Sequence, residues 1–144
     1  MFAAFCMVKR NSYPYYLLVS APSNYSAHPG PRLTASEFDT IFQGLEDNSL
    51  TNYSHYLSGY VGVVDVLRSL SKILQKQKTL YPHSIYVCDP VLGDNNSFYV
   101  SSESVQIYRT QLLHLADILL PNIFEFECVF SSTVYLLFLY ILFM

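Results

Sequence analysis

Two aspartates, Asp89 and Asp94, bracket the short segment Pro-Val-Leu-Gly. They follow Ser84-Ile-Tyr-Val-Cys88, an apolar run that reads as a strand. Two carboxylates at a strand's C-terminal end can hold hard cations, which in turn neutralise phosphates. Pro90 fixes the exit from the strand, and Gly93 lets backbone approach a phosphate. The same spacing also suits a plain Asp-capped turn, the commoner fate of an Asp-Pro pair. A second constellation is Asn122-x-x-Glu125, directly after Pro121 and opening a helix. An acid in the first helical turn is favoured by the helix dipole, so an N-cap is the simplest reading of this pair. Tyr60 follows Gly59 at another strand end, where its ring could stack on a flat ring. It is one of 13 tyrosines, and ordinary packing competes with that role.

The elements that must position these residues alternate along the chain. Tyr15–Ser20 reads as a buried strand ended by Pro22, and Pro22, Pro29, Gly30 and Pro31 make residues 21–33 a loop. Thr34-Ala-Ser-Glu37 matches a capping box, and Phe38, Ile41, Phe42 and Leu45 continue it as an amphipathic helix to about Glu46. Tyr53–Ser58 reads as a strand closed by Gly59. A second helix from about Gly62 to Lys78 buries Val63, Val66, Leu67, Leu70 and Leu74, with Lys72, Lys76 and Lys78 facing water. After the strand into Asp89 come a third helix, Ser102–Leu115, and a fourth strand, Ala116–Leu120, stopped by Pro121. Alternating strands and helices predict an α/β fold: a parallel sheet flanked by helices, of Rossmann type. In such sheets ligands bind outside the carboxyl ends of the strands, where Asn24, Ser26, Tyr60, Asp89, Asp94, Asn122 and Glu125 fall. Residues 1–14 show no clean periodicity and are left unassigned.

Four segments also carry a family resemblance. Tyr86-Val-Cys-Asp-Pro-Val-Leu-Gly-Asp94 resembles the pyridoxal kinase version of a ribokinase-superfamily motif. Leu115-Ala-Asp-Ile-Leu-Leu-Pro-Asn-Ile-Phe-Glu125 resembles that family's ADI-x-TPN-x-FE segment. Leu57-Ser-Gly-Tyr60 is similar to its LTGY turn, and Ser23-Asn-Tyr-Ser26 to its SNHT element. All four stand in the family's order, over roughly residues 17–127, so residues 15–127 are expected to form a partial ribokinase-like domain.

The resemblance implies an ATP-dependent phosphotransferase with an alcohol acceptor, acting on the 5′-hydroxyl of pyridoxal in vitamin B6 salvage. It implies that Asp89, Asn122 and, less directly, Tyr99 serve the nucleotide. Asp94 and Glu125 would serve magnesium, and Ser26 and Tyr60 would meet pyridoxal or related B6 vitamers. Family members are homodimers. Ser26 replaces the family's Thr but keeps a hydroxyl. Leu120 stands where the family has Thr beside a monovalent cation, which weakens that cation site. The family's catalytic Gly-x-Gly-Asp motif supplies the base and an anion hole at a helix N-terminus. None of Gly30, Gly44, Gly59, Gly62 and Gly93 forms it, so no catalytic base is assigned. The family's N-terminal strand and its Gly-Tyr-Val-Gly loop are likewise not found, since residues 1–14 do not resemble them. A truncated and inactive variant is therefore expected, with a non-catalytic partner of full-length subunits or a tail-anchored membrane protein as alternatives.

Composition narrows the remaining classes. The chain of 144 residues is 51% hydrophobic and 13% charged, which excludes a disordered polyelectrolyte. A net charge of −3 without clustered Lys and Arg gives no nucleic-acid footprint. Cys6, Cys88 and Cys128 are odd in number and scattered, which favours a reducing, cytoplasmic setting over a disulfide framework. His28, His55, His83 and His114 share no metal-ligand spacing. Residues 128–144 carry no charge and fall outside the resemblance. Their length and lack of flanking Lys or Arg argue against a stable membrane span and for an alternative end or translated non-coding sequence.

Overall fold

A computed structural model describes residues 3–8, 15–20 and 33–130 of the chain. Ser26, the rest of residues 21–32 (where a loop is expected from the sequence) and the apolar stretch from 131 onward lie outside the described residues.

Among the described residues the sheet has five strands: β1 (Ala3–Val8), β2 (Tyr15–Ser20), β3 (His55–Ser58), β4 (Ile85–Cys88) and a two-residue edge pairing, Ile118–Leu119, which becomes β7 in chain order. Their spatial order is β2-β1-β3-β4-β7. β3, β4 and β7 run parallel, as the strand–helix alternation predicts. β1 is antiparallel to both β2 and β3, so the unassigned N-terminal segment supplies a strand. Its run of apolar residues does not alternate, which leaves its secondary structure undecided in the sequence. A separate two-residue ladder, β5 (Gly93–Asp94) with β6 (Ser97–Phe98), makes a small hairpin beyond β4. Asn95 and Asn96 both have positive φ at its tip, which is the backbone a two-residue hairpin turn requires.

The helices form for reasons visible in their first turns. In α1 (Ala35–Asp47) Glu37 N–H donates to Thr34 Oγ1 at 3.2 Å and Thr34 N–H donates back to Glu37 Oε2 at 2.8 Å, the expected capping box. The pairing holds the exposed Glu37 carboxyl below its ordinary range. Phe38 and Phe42 are buried, whereas Ile41, placed on the same stripe by spacing, is 42% exposed. α2 (Val64–Leu80) buries Val66, Leu67, Leu70 and Leu74 as predicted. Each such side chain contributes roughly 1.5–3 kcal/mol by leaving water.

The third helix departs from expectation. Only α3 (Ser102–Ile107) is α-helical, capped by Ser101; residues 108–112 form a π turn and 113–115 a 3₁₀ turn. The wider turn carries Tyr108 and Leu112 into the core together.

α1, α2 and α3 bury residues in the same core as Tyr56, Tyr86 and Cys88. The alternate residues of β3 and β4, and Ile118 of β7, point the other way: Leu57, Ile85 and Ile118 are 39%, 36% and 46% exposed. The described residues thus cover one face of the sheet with helices.

Lys78, expected to face water, instead reaches Asp117 Oδ2 and Ser84 carbonyl oxygen, each at 2.7 Å. Asp117 Oδ2 also accepts from Tyr86 N–H at 2.7 Å, tying the start of β7 to β4. Burial alone would raise the Asp117 carboxyl, but the bonds from Lys78 and Tyr86 outweigh it and hold the group below its ordinary range. A group lowered in this way stabilises the fold above the unfolded-state pKa and loses that contribution as pH falls through the folded value. Replacing Asp117→Asn should therefore cost about 1 kcal/mol at neutral pH. Urea titrations should show the gap from the parent narrowing as the pH is lowered through the aspartate range.

Candidate functional site

The carboxyl ends of the three parallel strands come into register at one rim of the sheet. Ser58 pairs with Cys88, and Cys88 with Leu119. Asp89 N–H donates to Ser58 carbonyl oxygen at 2.9 Å, and Leu120 N–H donates to Cys88 carbonyl oxygen at 3.0 Å. The chain therefore leaves β3 at Gly59–Tyr60, β4 at Asp89 and β7 at Leu120–Asn122 along one edge. This is the end where open α/β sheets place their ligands.

Three of the residues singled out by sequence meet there. Asp89 is half-buried, and its carboxyl lies above the ordinary aspartate range, first through burial and then through the negative charge of Glu125. Glu125 sits in the first turn of α4 (Ile123–Val129) and is only 3% exposed. Asn122 caps that helix: Glu125 N–H donates to Asn122 Oδ1 at 2.8 Å and Asn122 N–H donates to Glu125 Oε2 at 2.9 Å. The capping box thus accounts for one oxygen of Glu125. The other, Oε1, accepts from Leu92 N–H at 3.0 Å and, more loosely, from Gly93 N–H at 3.5 Å. Asn122 Nδ2 donates in turn to Gly93 carbonyl oxygen at 2.9 Å.

Gly93 is needed at this crossing. A Cβ there would come within 2.2 Å of Ser97 carbonyl oxygen and 2.7 Å of the Phe124 ring. Absence of a side chain lets the hairpin fold onto α4, where the Phe98 and Phe124 rings pack 5.0 Å apart. Asp94 and Tyr99 belong to this hairpin region. Asp94 is exposed, and its carboxylate accepts from Asn95 N–H at 2.8 Å and Asn95 Nδ2 at 3.2 Å. Tyr99 is 43% exposed, with its N–H donating to Leu92 carbonyl oxygen at 2.8 Å. Tyr60 lies on the same rim beyond β3, half-buried, with its ring against the backbone of Gly62. Leu120 is 55% exposed. His55, His83 and His114 are exposed. Among the described residues no three His, Cys, Asp or Glu side chains converge as a ready metal-binding group.

Beneath the rim lies a buried polar layer that the sequence reading missed. Ser58 Oγ and Tyr86 Oη share a hydrogen bond of 2.7 Å. Tyr108 is buried and donates from Oη to Gly59 carbonyl oxygen at 3.4 Å. Burial raises both phenols well above their ordinary range, and for Tyr108 the neighbouring Cys88, Asp89 and Glu125 add to the effect. Burial likewise pushes the Cys88 thiol up to about 11, which keeps it protonated and unreactive at neutral pH. Strand alternation places Ser58, Tyr86 and Cys88 inward, but Tyr108 carries no signal among so many tyrosines beyond its helical spacing.

Comparison with known proteins bears on the family and the fold. The chain is 47% identical over 109 residues to the pyridoxal kinase of Dictyostelium discoideum, a match covering 73% of this chain and 36% of that one. It is 39% identical over 108 residues to the pyridoxal kinase of Arabidopsis thaliana, covering 73% and 35%. The matched segment belongs to the pyridoxal kinase family. Its fold is shared as well. The pyridoxal kinase of Leishmania donovani, solved in complex with ADP and pyridoxamine, superposes with a TM-score of 0.69 at 32% identity, over 76% of this chain and 39% of that one. The enzyme from Trypanosoma brucei gives 0.66 at 29% identity, over 79% and 39%. The chain spans about a third of the length of the curated relatives it matches. No protein-family model matches it. No helix among the described residues is long and apolar enough to cross a membrane.

The raised Asp89 carboxyl has a measurable consequence. Its charge is penalised in the folded state, so its contribution to stability falls as pH rises from the ordinary aspartate range through the higher folded value. Replacing Asp89→Asn removes that penalty. Thermal melts at neutral pH should show the variant at least as stable as its parent, and a clear loss of stability would contradict the assignment.

Proposed function

We propose that this chain carries the nucleotide-phosphate rim and part of the vitamer rim of a pyridoxal kinase site. The parent reaction moves the γ-phosphoryl group of ATP to the 5′-hydroxyl of pyridoxal or a related B6 vitamer. The observation that carries the reading is the meeting of Asp89 with the Asn122–Glu125 cap at the carboxyl ends of β4 and β7. Asp89 and Asn122 are the nucleotide-side residues, with Tyr99 at the hairpin's edge. Tyr60, beyond β3, and Ser26 are the vitamer-side residues. The Leishmania relative, which shares this fold, was solved in complex with ADP and pyridoxamine, and ligands of those two classes are what this reading calls for.

Magnesium suits the donors available. Asp89 and Glu125 are close enough for like-charge repulsion, and a hard cation with oxygen ligands would relieve it. Asp94 brings an exposed carboxylate on the hairpin, while both oxygens of Glu125 are already engaged by backbone amides, so Glu125 would act through water. When bound, the ion neutralises charge on the transferring phosphates. A monovalent cation beside Leu120 would lack the side-chain hydroxyl that the family's Thr offers.

Deprotonating the acceptor alcohol needs a base and an anion hole, and the family's Gly-x-Gly-Asp element for both is absent from these residues. Residues 1–144 by themselves are therefore expected to bind Mg·ADP without transferring phosphate. A cytoplasmic setting fits the scattered cysteines, and self-association as a dimer is the family's habit.

Two measurements test this. Titration calorimetry with Mg·ADP should give a single weak site in the parent that Asp89→Asn weakens at least about tenfold, the loss of one charge-assisted contact. Coupled assay with pyridoxal and Mg·ATP should show no turnover, and sustained phosphorylation would mean that a base exists within these residues.

A further inference from the structure

Asn122 and Glu125 do more in this structure than cap a helix. Each of their side chains spends one polar group on the α4 cap and the other on the segment between Asp89 and Asp94. Glu125 takes Leu92 N–H, and Asn122 gives a hydrogen bond to Gly93 carbonyl oxygen. Leu92 is wholly buried, and its carbonyl oxygen accepts from Tyr99 N–H, so what fixes Leu92 also fixes the far end of the hairpin. Gly93 admits no side chain because the hairpin and Phe124 close around it. The contacts form one closed circuit from α4 through Leu92 and Gly93 to the hairpin and back through the Phe98–Phe124 ring pair.

We propose that Asn122 and Glu125 are positioning residues: they clasp Leu92 and Gly93 and so hold the segment from Asp89 to Tyr99 in its binding shape before any metal or nucleotide arrives. The proposal rests on the functional reading above for what the segment binds, but the clasp itself is built entirely from contacts within this chain. Its chemistry is that of a buried carboxylate that would be costly to leave unsatisfied. Three backbone amides surround it, two from one element and one from another, so it cannot be satisfied unless the two elements meet. A residue that only arranged water around magnesium would leave the ligand-free loop indifferent to its replacement.

Two variants separate the roles. Glu125→Gln keeps size and shape, but its amide NH₂ must face either the Asn122 N–H or the Leu92 N–H, donor against donor. Asn122→Ser keeps an oxygen to cap α4 and removes only the donor to Gly93 carbonyl oxygen. Amide hydrogen exchange is read by NMR on the full chain, first without metal or nucleotide. Leu92 should exchange about tenfold or more faster in Glu125→Gln, and Leu92 and Gly93 about fivefold faster in Asn122→Ser, while Leu67 and Tyr56 in the core stay within about twofold. Saturating Mg·ADP should restore protection at Leu92 in Asn122→Ser, a rescue that a general loss of stability would not give. Unchanged exchange at Leu92 and Gly93 in both variants overturns the clasp, even if Mg·ADP binding is lost. Should Glu125→Gln loosen the core amides too, Asn122→Ser decides alone. If the parent does not bind Mg·ADP, the functional reading fails while the ligand-free exchange still decides the clasp.

Discussion

The rim of this fold depends on how a single buried carboxylate is satisfied. Glu125 is almost without solvent contact. Its two oxygens take the Asn122, Leu92 and Gly93 amides instead. The orphan amides at the start of a helix make the first half of that arrangement cheap, because an acid in the first turn is favoured there in any case. The second half joins β4's exit loop to α4. With Asp89 hydrogen-bonded through its backbone to β3, and Leu92 held by α4, the loop between them has little freedom left.

Beneath the rim, the inward faces of β3 and β4 carry hydroxyls and a thiol where most cores carry hydrocarbon. Ser58 and Tyr86 satisfy each other, and Tyr108 reaches the backbone of Gly59. These groups stay neutral because burial raises the pKa of each phenol and of Cys88. A neutral polar floor under two carboxylates adds no charge of its own, and it leaves the Asp89–Glu125 repulsion unrelieved. Such stored repulsion is the usual companion of a site shaped for a cation and phosphates.

Much of this was legible in the residues. Periodicity located α1, α2, β3 and β4 to within a few positions, and Thr34–Glu37 declared its capping box through chemistry confined to four residues. The Asn122–Glu125 pair was equally readable as a cap. What local patterns did not carry were events set by distant partners. A continuous apolar run at the N-terminus became β1 only because β2 and β3 accept it on either side. The third helix broke into α, π and 3₁₀ turns although its spacing looked regular. Lys78 turned inward to Asp117 although lysine on a helix face normally seeks water.

The sequence by itself determined the alternation of strands and helices, the order of the motifs and the family to which they belong. It also placed Asp89 and Asn122 just past the ends of strands. Those are properties of short stretches, decided by periodicity, capping and turn chemistry within a few bonds. Tertiary structure alone decided that Glu125 spans two elements, that Gly93 must lack a side chain, and that Tyr108 lies beneath the rim. Each of these depends on which groups from distant parts of the chain compete for the same buried space and the same hydrogen bonds, and no local pattern encodes the outcome of that competition.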